Sequence, residues 1–212
     1  MLKYNVSRET IEKLKTYEKL VIEWNSKFNL ISKSSVEHIW ERHILDSLQL
    51  CSFISKNDRK LYDFGSGAGF PAIVIAIISQ ELFPNLEISL IESIGKKATF
   101  LNVVKEALGL NIKIYNDRIE NIKLTKADII SSRALASLVK LLEYAKPFCN
   151  KDTRLIFPKG EKWQEEVLEA ETIDEAKYAE IISSIVFYIR KNWWIYFWRR
   201  IRNVANDSER NC

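Results

Sequence analysis

Residues 61–71, Leu-Tyr-Asp-Phe-Gly-Ser-Gly-Ala-Gly-Phe-Pro, set three glycines at alternate positions, Gly65, Gly67 and Gly69, behind a carboxylate, Asp63. Glycine takes positive φ at little steric cost and lets a ligand approach the main chain closely. A second carboxylate, Glu92, stands 23 positions after Gly69. An acid at that separation, at the end of the next strand, is placed to accept ribose hydroxyls. Together they describe a site for an adenosine-bearing ligand at a strand–turn–helix junction.

The flanking pattern supplies those elements. Leu61–Phe64 is a short apolar strand, and the apolar run 71–80 opens on Pro71, which suits the first turn of a helix. Glu87 to Ile91 predicts a second strand, and a helix over 96–108 stops at Gly109. Further strands are expected at Ile112–Tyr115, Asp128–Ser132, Arg154–Phe157 and Val186–Ile189, with helices over 134–146 and 161–180. Strands alternating with helices predict an α/β fold with a doubly wound, mostly parallel sheet, whose ligands sit beyond the strand carboxyl ends. Glu92, Arg118, Arg133 and Lys159 all fall at or just after such ends.

Ahead of this unit, Ile11, Leu14, Tyr17, Leu20, Val21 and Trp24 recur three and four apart, an amphipathic helix over 8–30 with Ser7 or Thr10 as cap. A second helix is expected over 35–54. The division this implies is a helical extension, 1–58, and a cofactor-binding domain, 59–212.

Which cofactor binds turns on the glycine spacing. Dinucleotide folds use G-x-G-x-x-G/A, where the third glycine permits close helix packing beneath a pyrophosphate. Here the spacing is G-x-G-x-G, and Phe70 and Pro71 crowd the helix start where a pyrophosphate needs open N–H groups. S-adenosylmethionine has no phosphate and carries an ammonium and a sulfonium, so Asp63 near the turn suits it. An NAD-dependent oxidoreductase is the competing enzyme reading. For Asp63 the plainer alternative is a carboxylate that only holds loop amides.

Bulk properties narrow the class. The chain has 212 residues, 47% of them hydrophobic, which suits one full-sized domain with a core. No run of 18 uncharged apolar residues occurs, so a membrane span is not expected. Cys51, Cys149 and Cys212 have neither metal-site nor disulfide spacing, so no metal is expected and a cytoplasmic setting is. A net charge of +4 is modest. Its placement says more: Arg42, Lys96, Lys97, Arg118, Arg133 and Lys159 lie beside element ends, and Arg190, Lys191, Arg199, Arg200 and Arg202 form a second basic group. Nucleic acid and plain solvation both account for such charges.

Several segments then match one family in its own order: Trp24-Asn25-Ser26-Lys27-Phe28-Asn29-Leu30-Ile31, Glu41-Arg42-His43-Ile44-Leu45-Asp46-Ser47-Leu48, Asp63 to Pro71, Leu90-Ile91-Glu92-Ser93 with Lys96, Lys97, Phe100 and Leu101, Arg118-Ile119-Glu120, Ser132-Arg133-Ala134, and Phe157-Pro158-Lys159-Gly160. Over about residues 10–165 the chain resembles the bacterial 16S rRNA (guanine-N7) methyltransferases known as the glucose-inhibited division protein B family. The resemblance implies a methyltransferase fold with an N-terminal helical extension, S-adenosyl-L-methionine as donor, and a guanine in the 530 loop of 16S rRNA as acceptor. That RNA would be met within the small ribosomal subunit or an assembly intermediate, by a cytoplasmic monomer. Cofactor contacts are implied at Asp63, Gly65, Ser66, Gly67, Gly69, Phe70, Glu92, Ile119, Glu120 and Arg133, and catalytic or RNA-facing roles at Arg118, Arg133 and Lys159. Each of these three has a plain alternative in pairing with a surface acid, Glu120 for Arg118. His43 and Asp46, three apart, are expected to dock the extension and shape the pocket wall.

Two departures stand out. Ala72 replaces a glycine usual in the family, which a helical φ would tolerate. Asn192-Trp193-Trp194-Ile195-Tyr196-Phe197-Trp198-Arg199-Arg200 is an aromatic, basic run that the resemblance does not explain. It reads as a final covered strand or as a stacking surface for RNA. A protein that keeps the fold and binds RNA without catalysis is the remaining alternative.

Overall fold

The computed structural model describes residues 6–160, 163–172, 185–189 and 195–198. Its centre is one seven-stranded sheet in the order β3-β2-β1-β4-β5-β6-β7. The strands are β1 (Lys60–Phe64), β2 (Glu87–Ile91), β3 (Ile112–Tyr115), β4 (Ile129–Ser132), β5 (Arg154–Lys159), β6 (Ile185–Ile189) and β7 (Ile195–Trp198). All neighbours are parallel except β7, which adds antiparallel to the outer edge of β6. The first six strands keep the doubly wound order, in which the chain reverses direction across the sheet between β1 and β4.

The helices are α1 (Arg8–Asn25), α2 (Lys33–Val36), α3 (Asp46–Leu50), α4 (Ala72–Leu82), α5 (Gly95–Leu108), α6 (Leu138–Ala145) and α7 (Trp163–Thr172). Helix α4 is apolar all round over Ala72–Ile78 because that stretch is covered all round: every residue from Ala72 to Ser79 is buried, with the extension packed outside it, and only the last turn, with Gln80 and Glu81, is exposed. Leu14, Tyr17 and Val21 of α1 share one core with Ile73, Ile77, Phe100 and Leu90. Each such side chain contributes about 1.5–3 kcal/mol of burial. Helix α1 therefore forms one wall of the same core.

Caps follow the sequence. Ser7 precedes α1 and its Oγ accepts from the Thr10 N–H at 3.2 Å, while Glu81 accepts from the Ser7 N–H and the Thr10 hydroxyl, tying α1 to the end of α4. Gly109 closes α5 in the left-handed region at φ 59°.

Three expectations are corrected. The helix anticipated over 134–146 begins only at Leu138, because Ala134 has φ 55° and breaks the chain into a loop over 133–137. The single helix expected over 35–54 is divided into α2, a π-helical segment Trp40–Leu45, α3 and a 3-10 turn Cys51–Phe53. Helix α1 ends at Asn25 rather than running to 30: Asn25 Oδ1 accepts from the Leu30 and Ile31 N–H groups at 2.8 and 2.9 Å and turns the chain. Ala72 lies inside α4 and is not among the positive-φ residues, so alanine is accommodated there. Arg190, Lys191, Trp193, Trp194, Arg199, Arg200 and Arg202 lie outside the described residues, as does helix beyond Thr172.

Candidate active site

Strand alternation decides where Asp63 goes. Tyr62 and Phe64 join the core under α6, while Leu61 joins the core under α4 and the extension. Asp63 shares the Leu61 face, and its neighbour in the register with β4 is Ser131. The Ser131 hydroxyl donates to Asp63 Oδ1 at 2.6 Å. Oδ2 is buried with no hydrogen-bond partner among the described residues. Burial is the main cause that raises this carboxyl from 3.8 to about 6, with the Ser131 bond, the neighbouring Ser66 hydroxyl and the Arg133 charge opposing it and Glu92 adding to it.

The glycine turn stands directly above. Gly65 and Ser66 donate to the Ile91 carbonyl, and Gly69 to the Ser66 carbonyl. At Gly69, φ is 92°, and a Cβ would lie 2.5 Å from Ile73 Cγ1 and 2.9 Å from the Tyr17 hydroxyl. At Gly65, φ is 64°, and a Cβ would meet Leu135 Cδ1 at 2.6 Å. Both positions admit only glycine without rearrangement. Tyr17, fully buried on α1, donates its hydroxyl to the Ala68 carbonyl at 2.7 Å, so the extension holds the turn from below.

Glu92 is turned inward. Its Oε2 accepts from the Gly67 N–H and its Oε1 from the Ile94 N–H, both at 2.8 Å. It fixes the turn, with one lone pair left on each oxygen.

Two cavities open over this turn and share Gly65 in their walls. The larger, about 550 Å³, is lined by the turn residues Ser66, Gly67 and Phe70, by His43 and Asp46 of the extension, and by Arg133 and Lys159. The smaller, about 180 Å³, is lined by Arg118, Ile119, Glu120, Ile91 and Leu135. The larger lies in the size range of small-ligand clefts. The structure thus brings Arg133 and Lys159 together with the turn, and sets Arg118 apart with Ile119 and Glu120.

Each cation has its own setting. The Arg133 guanidinium lies 5.2 Å from the Phe70 ring centroid, and His43 stacks on the same ring at 4.8 Å. Lys159 is largely consumed by protein: its ammonium donates to Glu166 Oε2 at 2.8 Å and to the Ala136 carbonyl at 3.0 Å. Arg118 is exposed and its side chain forms no ion pair with Glu120 or another described acid, while its backbone N–H donates to Asp117 Oδ1 at 2.7 Å. Lys96 sits over the Phe28 ring at 5.4 Å, and Lys97 lines the larger cavity.

Tyr17, Ser131, Leu135 and Glu166 also shape the site, and the sequence assigns none of them a role there. Only Ser131 carried a signal, being one of two polar residues in a strand whose four positions are all buried. No described group of His, Cys, Asp and Glu could hold a metal. Burial pushes the Cys51 and Cys149 thiols up to about 12, which disfavours the thiolate a covalent mechanism needs. No described helix is long and apolar enough to cross a membrane.

A groove with a glycine floor and a buried unpartnered carboxylate oxygen beneath it fits S-adenosylmethionine. Comparison with known proteins agrees. The family described as rRNA small subunit methyltransferase G matches residues 10–191. The Ribosomal RNA small subunit methyltransferase G of Jannaschia sp. (strain CCS1) is 40% identical over 182 residues, 85% of each chain. Its counterpart in Orientia tsutsugamushi (strain Ikeda) is 44% identical over 169 residues, 80% of this chain and 82% of that protein. Among solved structures, the ribosomal protein L11 methylase of Lactobacillus delbrueckii subsp. bulgaricus superposes with a TM-score of 0.50 at 18% identity, over 60% of this chain and 65% of that one, which bears on the fold alone. These matches leave no place for the nicotinamide reading, and this chain belongs to the rRNA small subunit methyltransferase G family as an S-adenosylmethionine-dependent methyltransferase.

Proposed function

We propose that the protein methylates N7 of a guanine in the 530 loop of 16S rRNA. Family membership supports the reaction, and the observation that carries the site assignment is the pair of cavities that share Gly65 in their walls. In this reading the turn Gly65–Gly69 and Asp63 hold the methionine end of the donor, while Ile119 and Glu120 line the space for its nucleoside. Glu92 anchors the turn and offers its remaining lone pairs to the ribose.

Bound S-adenosylmethionine supplies an electrophilic methyl on a sulfonium centre. Guanine N7 has an available lone pair on the major-groove edge and carries no proton. The protein therefore needs no general base, and its task is alignment and exclusion of water. That agrees with His43 being stacked on Phe70 in a wall position. Arg133, resting on the same ring and lining the larger cavity, is the residue assigned to hold the incoming nucleotide. Lys159 acts through the 133–137 loop, which it pins by the Ala136 carbonyl. Arg118 is assigned to the nucleoside side. The acceptor would be presented by the small subunit or an assembly intermediate in the cytoplasm, to a monomer.

The test is transfer of labelled methyl to small subunits lacking the modification, followed by mapping of the modified base. Label at guanine N7 within the 530 loop is expected. Tight RNA binding without transfer would leave an RNA-binding protein, and label at another base would reassign the acceptor.

A further inference from the structure

Four cations line the larger cavity, Arg42, Lys97, Arg133 and Lys159, against two carboxylates, Asp46 and Glu166. Their charges are not equally available. Lys159 has 8% of its side chain exposed and is ion-paired to Glu166 at 2.8 Å. Arg133 is packed on the Phe70 ring. Arg42 and Lys97 form no ion pair with a carboxylate among the described residues. Arg42 Nη1 reaches the Ser34 carbonyl at 3.4 Å, a weak contact at most.

These two residues reach the cleft from separate elements whose backbones are fixed by other contacts. Arg42 belongs to the π-helical segment, and the next residue, His43, is stacked on Phe70. Lys97 is in the first turn of α5, whose N-terminal N–H groups already present partial positive charge. A lysine there is opposed by the helix dipole, and no described carboxylate lies within ion-pair distance of it. Both features are accounted for by an anion that arrives from outside.

We propose that Arg42 and Lys97 form a clamp for the RNA backbone phosphates flanking the target base, and that Lys159 contributes no phosphate contact. The inference rests on the RNA-methylating reading above. The clamp would set the position of the nucleotide without touching its base, in keeping with the division between phosphate contacts that position and base contacts that specify.

The test uses the double variant Arg42→Gln/Lys97→Gln with undermethylated small subunits as the probe. Two lost phosphate contacts should lower the slope of log affinity against log salt by about 1.4–1.8. KM for the subunits should rise about tenfold with kcat at saturation near the wild-type value, and S-adenosylmethionine affinity by calorimetry should be unchanged. Arg42→Lys/Lys97→Arg should restore the slope. Lys19→Gln/Lys56→Gln, at exposed lysines lining neither cavity, is the comparator. A wild-type slope and KM in Arg42→Gln/Lys97→Gln, or a change no larger than the comparator's, would overturn the clamp. Failure of the wild-type protein to methylate the subunits would instead overturn the functional reading, and the binding slopes would still decide the clamp.

Discussion

Asp63→Asn separates what the buried carboxylate does to the fold from what it does for the ligand. Asp63 is 1% exposed, and burial lifts its carboxyl from 3.8 to about 6. The folded protein therefore holds this proton more tightly than the unfolded chain. The resulting stabilisation is complete below about pH 3.8 and is lost as pH rises through about 6. At about 1.36 kcal/mol per pH unit of displacement, the loss between pH 4 and pH 7 is about 2 kcal/mol. Asparagine does not titrate. Its oxygen still accepts from Ser131, while its amide N–H groups take the place of the unpartnered Oδ2, at a pH-independent cost of about 1–3 kcal/mol. Urea unfolding of both ligand-free proteins from pH 4 to pH 7.5 reads the difference. The gap should move by about 2 kcal/mol in favour of the variant as pH rises. S-adenosylmethionine affinity of the wild type should strengthen over the same range, since a cationic ligand favours the ionised carboxylate, and that of the variant should stay flat. Parallel unfolding curves would refute the reasoning, because they would mean Asp63 titrates alike in both states.

Three other substitutions probe the supports of the site. Gly69→Ala places a methyl against Ile73 and Tyr17 at a φ of 92°, and should destabilise by about 1–3 kcal/mol or more and abolish donor binding in calorimetry. Tyr17→Phe leaves the buried Ala68 carbonyl without its donor, and should cost about 1–3 kcal/mol in urea unfolding while weakening donor affinity through the turn. Lys159→Met removes the donors to Glu166 and Ala136, so a stability loss of about 1–3 kcal/mol is expected with the salt slope of RNA binding unchanged. A reduced slope with intact stability would make Lys159 a phosphate ligand.

What the sequence made legible is what local pattern encodes. Strand β3 falls on Ile112–Tyr115 as expected, Gly109 closes α5 in the left-handed region, and the glycine turn follows β1 at the sheet's reversal point. The strand ends place Arg118, Arg133 and Lys159 at one edge. What stayed hidden depends on partners distant in the chain. Nothing local marks Ala134 as left-handed, so the 133–137 loop read as helix. Apolar spacing in 35–54 is compatible with α and π turns alike, so the widened segment carrying His43 was not foreseen. Tyr17 looked like one more core position, although its hydroxyl seats the turn 51 residues away. Glu92 and Lys159 also carry contacts that no local pattern marks, Glu92 with the Gly67 and Ile94 amides and Lys159 with Glu166.

The groove over the Gly65–Gly69 turn is assigned to the methyl donor, with its reactive end in the larger cleft. A crystal structure of the complex with S-adenosylhomocysteine tests it most directly. Density is expected to run across Gly65, with the nucleoside beside Ile119 and Glu120 and the sulfur opening toward Arg133. Density confined to another surface, or a turn closed over an inaccessible Gly65, would contradict it.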